Sequence, residues 1–206
     1  MTMQRRADRS TGSRPVATAL ATSVLLLFLP DAPAGAQAVG EIAPACTLQS
    51  IPGREGVAHG SPALPPVSAG PPSGVERRFE GEVWLVDFWA SWCPSCEAAF
   101  AFLDELERDL GPRGLRVLAV NLDADPDAAR DFLAEHRIDF EVSRDPSGQC
   151  PRAFGVSGMP WSVLIDREGR VTSIQRGFRP REARDLRERI ETMLEPEAVL
   201  APEPRS

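Results

Sequence analysis

Apolar residues in this chain fall into short, dense runs separated by charged or turn-forming stretches. The run Val83–Trp89 is apolar except for one acid, Asp87, and charge bounds it at Glu82. So short a continuous run predicts a buried strand. Farther on the spacing changes: Ala98, Ala99, Phe100, Phe102, Leu103, Leu106 and Leu110 recur at helical intervals. A second strand is predicted over 115–122, with Asn121 and Asp123 at its end. A helix over 126–137 follows, with Asp125 as N-cap and Pro126 at its first position. A short strand is expected at 140–143. Residues 161–166 and 171–175 then form a hairpin around Arg167-Glu168-Gly169. Leu186, Ile190 and Leu194 mark the inner face of a closing helix, Pro180–Leu194. Residues 52–74 are rich in Pro, Gly and Ser and predict a loop inserted before the core. The Pro- and Glu-rich residues 196–206 predict a disordered tail.

Between the first strand and its helix stands Trp92-Cys93-Pro94-Ser95-Cys96. A dithiol at a strand-to-helix junction can open and close a disulfide. Only the thiolate is nucleophilic, and the unpaired N–H groups and dipole of a first helical turn favour negative charge. This spacing makes Cys93 the attacking thiol, with Pro94 at the first helical position, and makes Cys96, one turn in, the resolving thiol. Asp87 is a carboxyl among Val, Leu, Phe and Trp. If buried, its pKa rises, and it becomes a proton acceptor for Cys96. The alternative is an aspartate at a partly wet strand position. Zinc would need two more ligands, and Cys46, Cys150, His59 and His136 include no second close pair. No metal and no cofactor is therefore expected. His136, near a helix end, suits a structural role there.

These residues resemble the thioredoxin superfamily, and within it the TlpA/ResA-like extracytoplasmic thiol-disulfide oxidoreductases. Asp87 and Trp92 stand where that family carries its buried acid and the tryptophan before the first cysteine. Phe154-Gly155-Val156-Ser157-Gly158-Met159-Pro160 is similar to the family segment that ends in a cis-proline. The residues from Trp161 to Val171 are similar to its following hairpin, and Ile42-Ala43-Pro44-Ala45-Cys46-Thr47-Leu48, more weakly, to its opening segment. The resemblance implies an α/β thioredoxin-like sandwich, a central mixed sheet flanked by helices, over residues 83–195. It implies that cis-Pro160 and the Met159 backbone hold a substrate strand against the dithiol, with Trp92, Pro94 and Ser95 beside them. Trp161 follows the proline where Thr is common, either shaping the substrate groove or packing. The implied activity is reduction of protein disulfides, in cytochrome c maturation or copper-site assembly, with a membrane electron donor. The alternatives are a disulfide oxidase or isomerase and a copper-handling redox chaperone. The chain departs from the family pattern at Ala99 and Ala101, where TlpA-like proteins often carry Glu and Pro. It contains no lysine, so Ala119 stands where thioredoxins place the lysine that pairs with the acid.

The chain has 206 residues, enough for one domain with tails. All 23 basic residues are arginine and the net charge is −7. Basic residues are spread out and no aromatic-rich basic patch appears, which argues against nucleic acid. Arg5, Arg6, Arg9 and Arg14 precede an apolar run at 16–29, and Ala34-Gly35-Ala36 and Ala36-Gln37-Ala38 follow it. This predicts a secretory signal over 1–38, with an uncleaved membrane anchor as the alternative, and hence a periplasmic protein. Residues 39–82 then form an N-terminal extension. In an oxidising compartment unpaired cysteines are unusual, so a Cys46–Cys150 disulfide is the natural expectation. Its rival is electron relay between Cys150 and the dithiol.

Overall fold

The structure, a computed structural model, describes residues 37–52 and 75–195. The loop at 53–74, the tail at 196–206 and all but the last two residues of the expected signal lie outside them. A mixed six-stranded sheet in the order β1-β5-β4-β3-β6-β7 forms the centre, and β2 adds a short seventh strand at the β1 edge. The strands are β1 (Cys46–Ser50), β2 (Val75–Arg77), β3 (Val83–Trp89), β4 (Leu115–Asn121), β5 (Glu141–Arg144), β6 (Trp161–Ile165) and β7 (Val171–Arg176). The helices are α1 (Pro94–Leu110), α2 (Pro126–Glu135), α3 (Gln149–Ala153) and α4 (Pro180–Leu194). No helix among the described residues is long and apolar enough to cross a membrane.

β3 is the central strand, parallel to β4 and antiparallel to β6, and all its residues are buried. Covered on both faces, such a strand is continuously apolar rather than alternating. Its side chains separate two layers. Leu85 and Trp89 join Phe100, Leu103 and Leu106 of α1, Leu133 of α2 and Ile190 of α4 on one face. Val86 and Phe88 join Cys150 of α3, Phe154, Trp161 and Val163 on the other. Helices thus lie on both faces, as the resemblance implies.

The ends of the elements follow local chemistry. At the start of α2 the Asp125 carboxylate accepts from the Asp127 N–H at 3.0 Å, and Pro126 follows it. α2 stops at Glu135, two residues short of expectation. His136 is extended there, and its ring Nδ1 meets the Phe132 carbonyl at 2.7 Å, capping the helix end with a side chain. The β6–β7 turn is held by Asp166, whose Oδ1 accepts from the N–H groups of Glu168 and Arg170. Gly169 stands in that turn at φ +78, where a Cβ would meet the Phe79 carbonyl at 3.1 Å.

Two strands and one helix lie outside the elements read from the sequence. β1 and β2 pair with each other across the undescribed loop, and β1 also joins β5. α3 contains Pro151 and follows turn-forming residues, so it reads as loop. Asp145 makes it a helix: its Oδ2 accepts from the Cys150 N–H at 2.7 Å and its Oδ1 from the N–H groups of Ser147 and Gly148. Cys150 so placed bonds to Cys46, with a Cα–Cα distance of 5.1 Å. The bridge is 1% and 2% exposed at its two residues and lies in the layer of Phe88, whereas Cys93 and Cys96 lie in the layer of Trp89. The sheet stands between the two disulfides, which argues against the relay reading.

Candidate active site

Cys93 is the N-cap of α1, at φ −101 and ψ 101, and Pro94 opens the helix. Cys93 and Cys96 are joined as a disulfide. The Cys96 N–H points at Cys93 Sγ from 3.2 Å, and the Ser95 hydroxyl lies 3.5 Å from the same sulfur. Once the bond opens, that N–H remains as a donor to a Cys93 thiolate. Cys93 is 6% exposed and Cys96 fully buried. The sulfur nearer the surface is therefore the one expected to attack, and the inner one to resolve.

Leu85 and Trp89, two residues to either side of Asp87, belong to the dithiol layer, while Val86 and Phe88 belong to the other. Strand alternation therefore turns the Asp87 side chain toward the layer of Cys96. Asp87 is completely buried. Burial pushes its pKa up from 3.8 to about 7, against the opposing pull of a hydrogen bond from Ser162. The Ser162 hydroxyl donates to Oδ1 at 2.6 Å, and Oδ2 has no hydrogen-bond partner among the described residues. Across β4 the paired residue is Ala119, the position expected to lack a cation. The partly wet alternative for Asp87 is excluded by its burial.

The remaining site residues divide. Trp92 is 68% exposed beside the dithiol, and Pro94 and Ser95 are exposed on the first turn of α1. Met159–Pro160 is a cis peptide, and the Met159 side chain packs against the layer that holds Cys93 and Cys96. Trp161 goes elsewhere: it is 2% exposed in the opposite layer, with the Arg176 guanidinium 4.8 Å from its ring. Of its two expected roles, the structure gives it packing. The reason is the two-residue strand period, which turns Trp161 away from the face that Ser162 and Asp87 share.

Sequence reading missed three contacts. Ser162, opposite Asp87 in the β3–β6 register, is signalled by one polar residue in Trp-Ser-Val-Leu-Ile. Asp123 reads in the sequence only as a strand end. It is 6% exposed, and its two carboxylate oxygens accept from the Ser91 N–H at 3.3 and 3.0 Å. The Asn121 amide donates to it at 2.8 Å, so Asp123 fixes the turn that carries Trp92 and Cys93. Third, His136 Nε2 lies 3.2 Å from the carboxylate of Glu97, the neighbour of Cys96, and its ring stacks on Phe132 at 4.1 Å. The Phe132 carbonyl first, and the Glu97 carboxylate after it, hold the imidazole pKa above its ordinary value.

Residues 39–193 match the family described as Redoxin. Over 106 residues the chain is 29% identical to the thiol-disulfide oxidoreductase ResA of Bacillus thuringiensis subsp. konkukian, covering 52% of this chain and 61% of ResA. It is 34% identical over 107 residues to the thiol:disulfide interchange protein HelX of Rhodobacter capsulatus, covering 48% of this chain and 58% of HelX. The chain thus spans less than two thirds of the length of these curated relatives. A crystal structure from Chlorobium tepidum, provisionally assigned as a thiol:disulfide interchange protein DsbE, superposes with a TM-score of 0.64 at 34% identity. The match covers 77% of this chain and 99% of that one. The fold is thioredoxin-like.

Proposed function

The chain belongs to the Redoxin family, and from that premise we propose that it exchanges thiols and disulfides outside the cytoplasm, as a reductant of protein disulfides. The observation that carries the reading is the Cys93–Cys96 disulfide at the first turn of α1, with a buried carboxyl turned toward the same layer. In the reduced protein the Cys93 thiolate attacks one sulfur of a substrate disulfide. A mixed disulfide forms, and the other substrate sulfur leaves as a thiolate that takes a proton from water. Cys96 then gives its proton to Asp87 and attacks the Cys93 sulfur. The second substrate sulfur leaves, and Cys93–Cys96 closes. Two electrons pass to the substrate, and a membrane-borne thiol donor restores the dithiol. Trp92, Pro94, Ser95 and the Met159–Pro160 backbone make the surface that a substrate chain meets.

The expected N-terminal signal supports a periplasmic location, and the likeness to ResA and HelX supports thiol-disulfide exchange over copper handling. Clients in cytochrome c maturation or copper-site assembly fit this chemistry. The test has two parts. Cys93→Ser should abolish dithiothreitol-driven insulin reduction, and Cys96→Ser should accumulate a mixed disulfide on Cys93. Equilibration of the couple against glutathione or dithiothreitol should give a potential of about −230 mV or below. A value near about −120 mV would make the protein an oxidant and remove the reductase reading.

A further inference from the structure

We propose that Ser162 is a positioning residue for proton transfer at the dithiol: its hydroxyl anchors one oxygen of Asp87 and leaves the other as the proton acceptor. This deepens the reading above and rests on it. Asp87 is fully buried, and no ion pair reaches it among the described residues. Its neighbour on β4 is Ala119, and the chain has no lysine to place there. From β6 it meets Ser162 directly across the register, at 2.6 Å. From α1 its layer holds Cys93 and Cys96, joined as a disulfide, and Glu107, whose Oε2 accepts from the Val117 N–H at 2.7 Å. A single neutral donor therefore does the orienting that a cation would otherwise do.

Two consequences follow from that geometry. With Oδ1 tied to Ser162, only Oδ2 is free to take a proton, and it has no partner among the described residues. A fixed carboxyl also removes a rotamer search from the transfer step. Second, Ser162 lies two residues after Pro160 on the strand that continues from the cis peptide. Trp161 turns to the opposite layer and Ser162 to the dithiol layer, so the hydroxyl ties the acid to the Met159–Pro160 segment. Hydrogen bonds to an ionised acceptor are stronger than bonds between neutral groups. The bond therefore favours the carboxylate and holds Asp87 basic only near neutrality, where it accepts a proton at one point in the cycle and releases it later.

The experiment is a carboxyl-carbon NMR titration of Asp87 in the oxidised protein, with the pH profile of the Cys96 resolution step measured by single turnover. Ser162→Ala should raise the proton affinity of Asp87 about tenfold and move the acid limb of the resolution rate up by about one pH unit. The isosteric pair Ser162→Thr and Ser162→Val separates hydroxyl from shape: Thr should retain the wild-type limb and Val should reproduce the Ala shift. An Asp87 titration unchanged in both Ala and Val would overturn the proposal, as would a Thr variant that behaves like Val. If wild-type protein failed to reduce insulin, the functional reading would fall, while the Asp87 titration would still decide whether Ser162 governs the carboxyl.

Discussion

Replacing Asp87 by Asn should make the folded protein more stable, and by an amount that grows with pH. The Asp87 carboxyl has a pKa of about 7 in the folded protein and 3.8 when solvated. Between those values the unfolded chain loses its proton and the folded chain keeps it. The folded state then binds more protons, so stability falls as pH rises through this window. The cost is absent below about pH 4, accumulates up to pH 7 and is level above it. The gap between the two values, at about 1.4 kcal/mol per pH unit, comes to about 4 kcal/mol. Asn keeps an oxygen to accept from the Ser162 hydroxyl and carries no charge to bury. Its amide nitrogen is unpaired much as Oδ2 is, so that penalty is similar at every pH and cancels from the comparison. Urea unfolding of the oxidised protein at several values from pH 4 to pH 8 would read the effect. The variant's advantage should widen by about 4 kcal/mol across the series, or about 2 M in urea midpoint for a typical slope. Equal differences at pH 4 and pH 8 would refute the reasoning. The carboxyl would then not be desolvated, and Asp87 would lose the physical basis for taking a proton from Cys96.

Two further outcomes follow from the layers and the turn. Removing the second bridge by Cys46→Ala with Cys150→Ala opens a loop of sequence separation 104, for which chain entropy assigns about 5 kcal/mol. Urea unfolding should show a loss of several kcal/mol. Insulin turnover by the folded fraction should persist, and its complete loss would mean that the bridge belongs to the electron path after all. Asp123→Ala strips a charged acceptor from the Ser91 N–H and the Asn121 amide. It should cost about 2 kcal/mol and lower turnover about tenfold as the turn before Cys93 loosens. Unchanged turnover would show that the turn holds without it.

The parts legible in the sequence are those whose signal is local. β3 announces itself by an unbroken apolar run, α1 by helical spacing after Pro94, and α2 by Asp125-Pro126. The dithiol and its acid were visible because a lone carboxyl in such a run is costly to bury ionised. What was not legible depends on pairing across the sheet. Ser162 becomes a partner of Asp87 only through the β3–β6 register, and a shift of one residue would have exposed Trp161 to the dithiol instead. Asp123 looked like a strand end because its acceptor role depends on Ser91, far away in sequence. α3 was hidden because the carboxyl that holds its first turn, Asp145, lies several residues before a helix of barely more than one turn. α2 ends at Glu135, where the His136 ring takes the Phe132 carbonyl that the next helical N–H would otherwise use, a contact no spacing rule encodes.

The buried acid on one face of the sheet and the long-range disulfide on the other make opposite contributions to stability, and this bears on how such a site persists. On the dithiol face a buried acid costs about 4 kcal/mol above pH 7, and a ring as short as Cys93–Cys96 gains little chain entropy on closing. On the other face Cys46–Cys150 closes a long loop worth about 5 kcal/mol, a gain of the same size as that cost. The offset is useful only if the two bridges respond differently to reductant. Cys46 and Cys150 are 1% and 2% exposed and tie β1 to α3, with the sheet between them and the exposed Trp92 rim of the active couple. Thiol exchange needs an attacking sulfur in line with the bond, so a partner docked at Cys93 reaches one disulfide and not the other. The active couple can then cycle while the stabilising bridge stays closed. This separation lets the fold keep a titrating carboxyl at its centre without losing the margin that keeps it folded.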